Sequence, residues 1–232
     1  MHYQRRDILD PLPYSELWPA LQCTSGRIDI HTLAVRWVRE SHLRGHYLEF
    51  GVGTGRSAIA AIRAQQRDDA DTVRQFFLFD SFKGLPTLRG RDAGSTQFHE
   101  GQFAATEDEV REKFTAHGLT DLSRVHFVPG LFDASLPAFD TSRFGGEPAA
   151  IVHVDVDLFE SARDVLSFVT PHLQQGTLLL FDDWNAFAAS NDHGERAAAR
   201  EWLAREKSIE IERWLDYGWH GRAFIVHKRS NG

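Results

Sequence analysis

The fold follows from one segment of this chain, Tyr47-Leu48-Glu49-Phe50-Gly51-Val52-Gly53-Thr54-Gly55-Arg56-Ser57. An apolar run leads into three alternating glycines, and a helical pattern begins directly after them. Glycines at this spacing allow a sharp turn at the carboxyl end of a strand, and the missing Cβ lets a ligand approach the main chain. The segment therefore predicts a β-strand, a nucleotide-binding turn and a helix, as in a Rossmann-like domain.

The glycine spacing indicates which nucleotide the turn takes. A dinucleotide-binding turn has the pattern G-x-G-x-x-G, and Arg56 stands where its third glycine is needed for close helix–strand packing. An acidic residue, Glu49, instead stands two positions before the first glycine. This form resembles the first motif of class I S-adenosylmethionine-dependent methyltransferases, whose acidic residue and loop main chain help to hold the methionine part. NAD binding and a plain tight turn are the alternatives. The predicted cofactor-binding residues here are Glu49, Gly51, Gly53, Thr54, Gly55 and Ser57.

Composition and charge limit the class of protein. The chain has 232 residues, of which 42% are hydrophobic and 25% charged, which suits one sizeable α/β core. Its 26 Lys and Arg against 33 Asp and Glu give a net charge of −7, so a nucleic-acid partner is not expected. The single cysteine, Cys23, excludes an internal disulfide framework and fits a reducing compartment. Because no signal-peptide pattern and no run of ~20 apolar residues is present, we expect a cytoplasmic protein without a membrane partner.

Apolar runs alternate with helical patterns along the chain, which predicts βαβ units and a parallel sheet. The predicted strands are Tyr47–Phe50, Phe76–Phe79, Val125–Val128, Ile151–Val156 and Thr177–Phe181. The predicted helices are Ser57–Gln66, Thr106–His117, Ser161–His172 and Glu195–Glu206.

The chain ends in a predicted hairpin. Ile209–Leu215 and Arg222–His227 flank the turn-forming sequence Asp216–Gly221. Five parallel strands followed by an antiparallel hairpin is how a seven-stranded class I methyltransferase sheet ends. We expect residues 1–45 to form an amino-terminal helical cap, with Ile30–Arg44 as its best helix, and residues 46–232 to form the methyltransferase domain.

A second ligand-binding position is predicted at the end of the second strand. Asp80 lies roughly 30 residues past the glycine loop, where a carboxylate accepts hydrogen bonds from the ribose hydroxyls of an adenosine cofactor. Capping of a turn is the alternative role for Asp80. Ser81 is part of the same turn, and Phe82 either stacks on the adenine or packs into the core.

Four carboxylates follow the fourth and fifth predicted strands. Asp155 and Asp157 are two apart on a strand and should share a face, while Asp182 and Asp183 end the fifth strand. In a parallel sheet these ends lie along one edge, where clustered carboxylates repel one another unless a cation joins them. Oxygen ligands without cysteine favour Mg²⁺ over zinc, which predicts metal ligands at Asp155, Asp182 and Asp183. Asp157 has a second interpretation as a helix cap, because Glu160 follows it in nearly the spacing of a capping box.

Several motifs together resemble the macrocin O-methyltransferase family. They are Phe79-Asp80-Ser81-Phe82-Lys83-Gly84-Leu85-Pro86, Val125-His126-Phe127-Val128-Pro129-Gly130-Leu131-Phe132, Asp155-Val156-Asp157-Leu158-Phe159-Glu160-Ser161 and Asp182-Asp183. The resemblance implies metal-dependent methylation of sugar hydroxyls on antibiotic scaffolds. It also implies that Asp80 binds ribose, that Gly130 to Phe132 lie beside the adenine, and that Asp155, Asp182 and Asp183 hold Mg²⁺.

The acceptor and the base follow less directly from the residues. An oxygen nucleophile must lie in line with the activated methyl group and lose its proton, and the predicted bases are Asp155, Asp157 and His193. His153 shares a strand face with Asp155, but a histidine in an apolar strand is more often a core residue. The segment Thr87–Ala105 has the length of a lid or acceptor loop, or of a plain surface excursion. Trp184, Trp219, Phe98 and Phe103 either line an aromatic pocket or pack in the core.

We therefore expect a small-molecule hydroxyl acceptor, with a sugar ahead of a catechol or other phenol. An NAD-dependent oxidoreductase and a non-catalytic nucleotide-binding protein are the other classes, and a homo-oligomer is possible.

Overall fold

A computed structural model describes residues 27–228 of the chain, and its centre is one seven-stranded sheet. The strand order is β3-β2-β1-β4-β5-β7-β6. Strands β1 to β5 pair in parallel, and β7 lies antiparallel between β5 and β6. The strands are β1 His46–Phe50, β2 Phe76–Asp80, β3 Val125–Pro129, β4 Ala149–Val154, β5 Leu173–Phe181, β6 Ile209–Tyr217 and β7 Gly221–Lys228. The predicted sheet and its carboxyl-terminal hairpin are confirmed.

Within residues 27–228, six helices of seven or more residues flank the sheet. They are α1 Arg27–Glu40, α2 Arg56–Asp68, α3 Glu107–Ala116, α4 Phe132–Ala138, α5 Phe159–Val169 and α6 Gly194–Arg205. Helices α1, α2 and α3 share one apolar cluster with one face of the sheet, and α4, α5 and α6 share another with the opposite face. Helix α3 begins with a capping box, in which Thr106 and Glu109 each bond the other's main-chain N–H.

Alternation along β1 explains these two clusters. Leu48 and Phe50 pack on the side of α4 and α5, whereas Tyr47 packs with α1 and α2. Glu49 is fully buried, and its neighbour Ser57 belongs to the first turn of α2. The acidic side chain of Glu49 is thus buried between the sheet and α2.

The predicted amino-terminal cap lies only partly within the described residues. Its helix, expected over Ile30–Arg44, is α1 at Arg27–Glu40, and residues 1–26 lie outside the description. Ile30, Ala34, Val35 and Val38 of α1 are buried against the same core as Tyr47. The division of the chain at residues 45 and 46 stays a prediction.

One strand ends earlier than predicted. Strand β4 stops at Val154, whereas the prediction extended it to Val156. The main chain still follows β1 for one residue, since the Asp155 N–H donates to Phe50 O at 2.9 Å. It then turns, and Asp157 has a φ of 59°. Asp155 and Asp157 therefore do not lie on the strand, and the prediction that strand alternation puts them on one face is wrong. The turn after β4 brings them to the same cavity.

Strand order places one crevice at a specific edge. Strand β1 pairs with β2 on one side and with β4 on the other. The chain runs outward from β1 through β2 to β3 and then crosses to β4, so the direction of winding reverses beside β1. In open parallel sheets, ligands bind outside the carboxyl ends of the strands at such a switch point. The glycine loop after β1 and the acidic loop after β4 meet there. Within residues 27–228, no helix is both long and apolar enough to cross a membrane.

Candidate active site

A cavity of about 1130 Å³ opens at the carboxyl ends of the parallel strands. Small-ligand pockets typically measure roughly 300–1,000 Å³, so this one lies slightly above the large end of that range. The glycine loop, Asp80 and the turn after β3 line one end, and the carboxylates after β4 and β5 line the other.

The glycine loop lines the cavity with most of its predicted residues. Gly51, Gly53, Thr54 and Ser57 face it. Gly55 does not, and its role is packing: a Cβ there would lie 2.8 Å from both Val110 and Phe114 of α3. Its left-handed φ of 79° also begins the turn into α2.

Glu49 lies beneath this loop, outside the cavity lining. Its carboxylate accepts hydrogen bonds from the Tyr47 hydroxyl at 2.5 Å and the Ser57 hydroxyl at 2.7 Å. Burial, followed by the Glu49 charge, raises the pKa of Tyr47 well above its usual value, so the phenol remains a donor. In this arrangement Glu49 holds β1 to the start of α2, and direct contact with a ligand is not part of its geometry.

Asp80 both holds the glycine loop and lines the cavity. One carboxylate oxygen accepts the N–H groups of Val52 at 2.6 Å and Gly53 at 2.9 Å, and the other accepts that of Phe82 at 2.7 Å. A carboxylate has about four acceptor positions and three are taken, so Asp80 can accept about one further hydrogen bond from a ligand. The two roles predicted as alternatives for Asp80 are thus compatible.

The neighbours of Asp80 divide between cavity and core. Ser81 lines the cavity, and its hydroxyl donates to Gly84 O at 2.8 Å. Phe82 is 8% exposed, lies outside the lining and contacts Phe127, which favours its core interpretation. Across the cavity floor, Gly130 and Phe132 line the same end, and the Gly130 N–H donates to Asp80 O at 2.8 Å.

The carboxylates that directly follow β4 and β5 line the opposite end of the cavity at Asp155, Asp157 and Asp183. Burial, then the charges of Asp183 and Asp155, raise the pKa of Asp157 well above its usual value, and its side chain is hydrogen-bonded to Asp183. Asp157 is not a helix cap, because α5 begins at Phe159 with Leu158 as its cap residue and no side-chain cap bond.

The predicted metal ligands are divided between two groups. Asp155 and Asp182 lie together with His153, and one ligand atom from each falls within 4.8 Å of the others. His153 is fully buried, with Nε2 4.0 Å from Asp182 Oδ1 and Nδ1 3.8 Å from Glu49 Oε2. Asp183 lies instead against Asp157. The sequence predicted a core role for His153. In the structure His153 is buried and also lies beside Asp155 and Asp182.

His193 does not reach the cavity, in contrast to its predicted role as a base. Its ring stacks on Phe187 with centroids 5.4 Å apart, and Nδ1 lies 3.0 Å from the Ser190 hydroxyl. A different histidine, His220 in the turn between β6 and β7, lines the cavity near Asp183. Sequence reasoning missed His220, because only the hairpin pairing brings this turn to the cavity.

The long segment Thr87–Ala105 forms a wall of the cavity. Gln97, Phe98, Phe103 and Ala104 line it, together with Leu85 before the segment. Phe98 packs on Phe187 with ring centroids 5.2 Å apart. Of the four aromatic residues singled out from the sequence, Phe98 and Phe103 line the cavity, and Trp184 and Trp219 do not.

Two further carboxylates organise this end and were not predicted. Asp92 and Glu195 are 2% and 0% exposed. Asp92 accepts main-chain N–H bonds at the starts of α5 and α6, and Glu195 accepts them from the two acidic loops. Glu195 appeared in the sequence only as the first residue of a helix, and nothing near Asp92 marked its role.

The sequence also matches a known family over most of its length. Residues 15–207 match the Macrocin-O-methyltransferase (TylF) family. The chain belongs to the macrocin O-methyltransferase family. It is accordingly an enzyme of the O-methyltransferase class, which confirms the resemblance and the enzyme class predicted from its motifs.

Individual members of the methyltransferase group are similar to this chain. An 8-demethyl-8-(2,3-dimethoxy-alpha-L-rhamnosyl)-tetracenomycin-C 4'-O-methyltransferase from Streptomyces olivaceus is 33% identical over 184 residues, covering 75% of this chain and 67% of that protein. Demethyldecarbamoylnovobiocin O-methyltransferase from Streptomyces niveus is 30% identical over 208 residues, covering 84% of this chain and 75% of that protein. The solved O-methyltransferase NovP superposes with a TM-score of 0.70 at 25% identity, covering 86% of this chain and 79% of that one.

Proposed function

We propose that this O-methyltransferase moves a methyl group from S-adenosylmethionine to a sugar hydroxyl of a natural product, with Mg²⁺ as cofactor. The observation that carries the proposal is the division of one cavity into two chemically different ends. A glycine loop with a carboxylate at one end suits an adenosine ligand, and a carboxylate cluster at the other suits a cation and a polyhydroxylated acceptor.

The residues at the first end fit the methyl donor. A Cβ added at Gly53 would have no heavy atom within 4 Å, so ligand atoms can approach the main chain of this residue. Asp80 keeps one acceptor position for a ribose hydroxyl, and Gly130 and Phe132 line the same end of the cavity. The donor supplies a methyl group already activated on a sulfonium. The chain must therefore chiefly bind and orient two ligands.

The residues at the second end fit a divalent cation. Asp155 and Asp183 present oxygen atoms to the cavity, and Asp182 lies just beneath them. Oxygen donors suit Mg²⁺, while the nearby imidazole of His153 makes Mn²⁺ a second candidate for the same group. When bound, such an ion lowers the pKa of a coordinated hydroxyl.

Asp157 is the best-placed acceptor for the proton of the methylated hydroxyl. It lines the cavity together with Asp155 and Asp183, and it is 6% exposed. Asp155 is the second candidate base, whereas the His193 ring stacks on Phe187 and lies outside the cavity lining.

The relatives support a sugar acceptor. The name of the Streptomyces olivaceus enzyme describes a rhamnosyl substrate. The wall formed by Thr87–Ala105, together with His220, surrounds the acidic end and so borders the place where an acceptor would lie. A catechol is the competing acceptor class, since any vicinal diol can chelate the ion.

Calorimetric titration of metal-stripped protein tests the proposal. The ligands are S-adenosylmethionine, its demethylated product and NAD, each with and without Mg²⁺, followed by turnover assays with vicinal-diol sugars and catechols. Asp155→Asn is compared with Asp133→Asn, because both remove one cavity-lining carboxylate and only Asp155 belongs to the acidic end.

We expect micromolar binding of the donor and its product, no NAD binding, and loss of Mg²⁺ binding in Asp155→Asn alone. Binding of NAD without the methyl donor would overturn the cofactor assignment. Full turnover in the presence of a chelator would overturn the role of the metal, and turnover of catechols alone would overturn the sugar acceptor.

A further inference from the structure

Glu195 joins the two loops that carry the acidic cluster. It is the second residue of α6 and is fully buried. Its Oε1 accepts the Val156 N–H at 3.1 Å, and its Oε2 accepts the Asp183 N–H at 3.0 Å. Val156 stands between Asp155 and Asp157, and Asp183 follows Asp182. One side chain thus bonds the main chain of both loops.

Both bonds need a side chain of this length that has an acceptor oxygen at each of its two terminal positions. Each oxygen must accept, so glutamine offers one acceptor and places an N–H group against the second donor. Aspartate is one methylene shorter than the span from α6 to the two loops. Burial, and next the Asp183 charge, raise the pKa of Glu195 above its usual value, while the hydrogen bond from Val156 opposes that shift.

Asp92 fixes the helix on which Glu195 stands. Its Oδ1 accepts the Gly194 N–H at 3.2 Å, directly before Glu195, and its Oδ2 accepts the Phe159 N–H at 2.5 Å. Asp92 belongs to the cavity wall Thr87–Ala105 and is separated from these partners by 102 and 67 positions. The wall of the cavity and the acidic loops are therefore connected through the first turn of α6.

We propose that Glu195 is a positioning residue that sets the separation of the Asp155–Asp157 loop from the Asp182–Asp183 loop, with Asp92 holding α6 in place for it. Glu195 does not line the cavity, so it acts through the two loops whose main chain it bonds. The consequence for metal affinity rests on the proposed function. The effect on the two loops does not, since it follows from the hydrogen bonds alone.

Hydrogen exchange and metal titration on Glu195→Gln test this role. Exchange at the Val156 and Asp183 amides is measured on the metal-free protein, and affinity for Mg²⁺ and Mn²⁺ is measured by calorimetry and electron paramagnetic resonance. We expect exchange at one or both amides to quicken about tenfold, since each amide that loses its acceptor loses the hydrogen bond that protects it. Metal affinity should fall about 10- to 100-fold, as it does when groups that orient metal ligands are removed.

Two further variants separate positioning from general destabilisation. Asp69→Asn removes another buried carboxylate, paired with Arg74 at the far end of α2, and should lower stability without altering metal affinity. Glu195→Asp retains the charge but reaches only one loop, so one of the two amides should exchange faster. If Glu195→Gln does not fold, Glu195→Asp alone tests the positioning role.

The outcomes distinguish the two proposals. Unchanged exchange at Val156 and Asp183 in both Glu195 variants overturns the positioning role. Faster exchange with unchanged metal affinity, in a protein whose native form binds metal, overturns its link to the cation. If the native protein binds no divalent cation but the amides exchange faster, the metal part of the proposed function fails and the positioning role stands.

Discussion

The main-chain oxygen of Asp155 occupies the space that a side chain at Gly51 would need. A Cβ at Gly51 would lie 1.7 Å from this oxygen, and Gly51 also has a left-handed φ of 82°. The first glycine of the loop is therefore required by the acidic loop of the neighbouring strand. The glycine loop and the acidic loop are in contact at this point. A side chain added at Gly51 should therefore displace the loop that carries Asp155.

Gly51→Ala should destabilise the protein and disrupt both ends of the cavity. Backbone strain and overpacking together should lower the free energy of unfolding by about 2–5 kcal/mol. Gly53→Ala is the matched control, because it has a positive φ but no atom within 4 Å of the added Cβ. It should cost only about 1–2 kcal/mol. Urea denaturation of both variants measures the difference, and equal losses would contradict the contact with Asp155.

Asp80→Asn should weaken binding of the methyl donor. Asparagine retains one acceptor oxygen, so either Val52 and Gly53 or Phe82 lose their partner for the main-chain N–H. Hydrogen bonds to charged groups contribute about 1.5–3 kcal/mol, which corresponds to a 10- to 100-fold increase in Kd. Calorimetry with the demethylated product provides the measurement. Asp133 lines the same cavity, and the control variant Asp133→Asn should leave Kd nearly unchanged.

The strands were predictable because each is an apolar run bounded by glycine or polar residues. The carboxylates at their ends followed, since parallel strands bring these ends to one edge. The exit from β4 was not predictable: Val156 continues the apolar pattern, although the chain has already turned away from the sheet after Asp155. Local pattern does not distinguish a strand residue from the first residue beyond it.

The supporting residues were hidden for a different reason. Glu195 bonds main-chain groups 39 and 12 positions away, and Asp92 bonds groups 67 and 102 positions away. His193 and Glu195 are two residues apart, yet only Glu195 points toward the acidic loops, because α6 begins between them. Such roles depend on tertiary distances that spacing in the sequence does not encode.

His220→Ala should affect the acceptor and spare the donor. His220 lines the cavity near the acidic end, and its main-chain oxygen accepts the Asn185 N–H at 2.9 Å, which the substitution retains. We expect KM for the acceptor to rise about 3- to 10-fold, since a hydrogen bond is worth ~1 kcal/mol. The Kd for the demethylated product should not change.

Trp219→Ala is the control for His220, because the two residues are adjacent in the same turn. Trp219 is 91% exposed and lies outside the cavity lining. It should alter neither stability nor KM. If Trp219→Ala raised KM as much as His220→Ala did, the effect would belong to the turn as a whole and the assignment of His220 would fail.

His46 should make the protein less stable in mild acid. Its Nε2 lies 3.0 Å from Phe144 O and its Nδ1 accepts the Gln75 N–H at 3.4 Å, so the neutral ring satisfies both partners. Burial lowers the pKa of His46 on folding. The unfolded chain therefore binds the proton more readily: this stability is present above the ordinary pKa of ~6.5 and is lost as the pH falls through the folded value.

His46→Gln should remove part of that pH dependence, because glutamine keeps a donor for Phe144 O and does not titrate. The free energy of unfolding, measured by urea denaturation between pH 7.5 and 5, should fall less steeply with acid in His46→Gln than in the native protein. His126 and His172 also have pKa values lowered by burial, so some slope should remain. His42→Asn is the control for replacing a histidine, because it removes an exposed ring at a left-handed position that asparagine tolerates. If the free energy of unfolding of His46→Gln fell with acid as steeply as that of the native protein, the acid sensitivity would belong to groups other than His46.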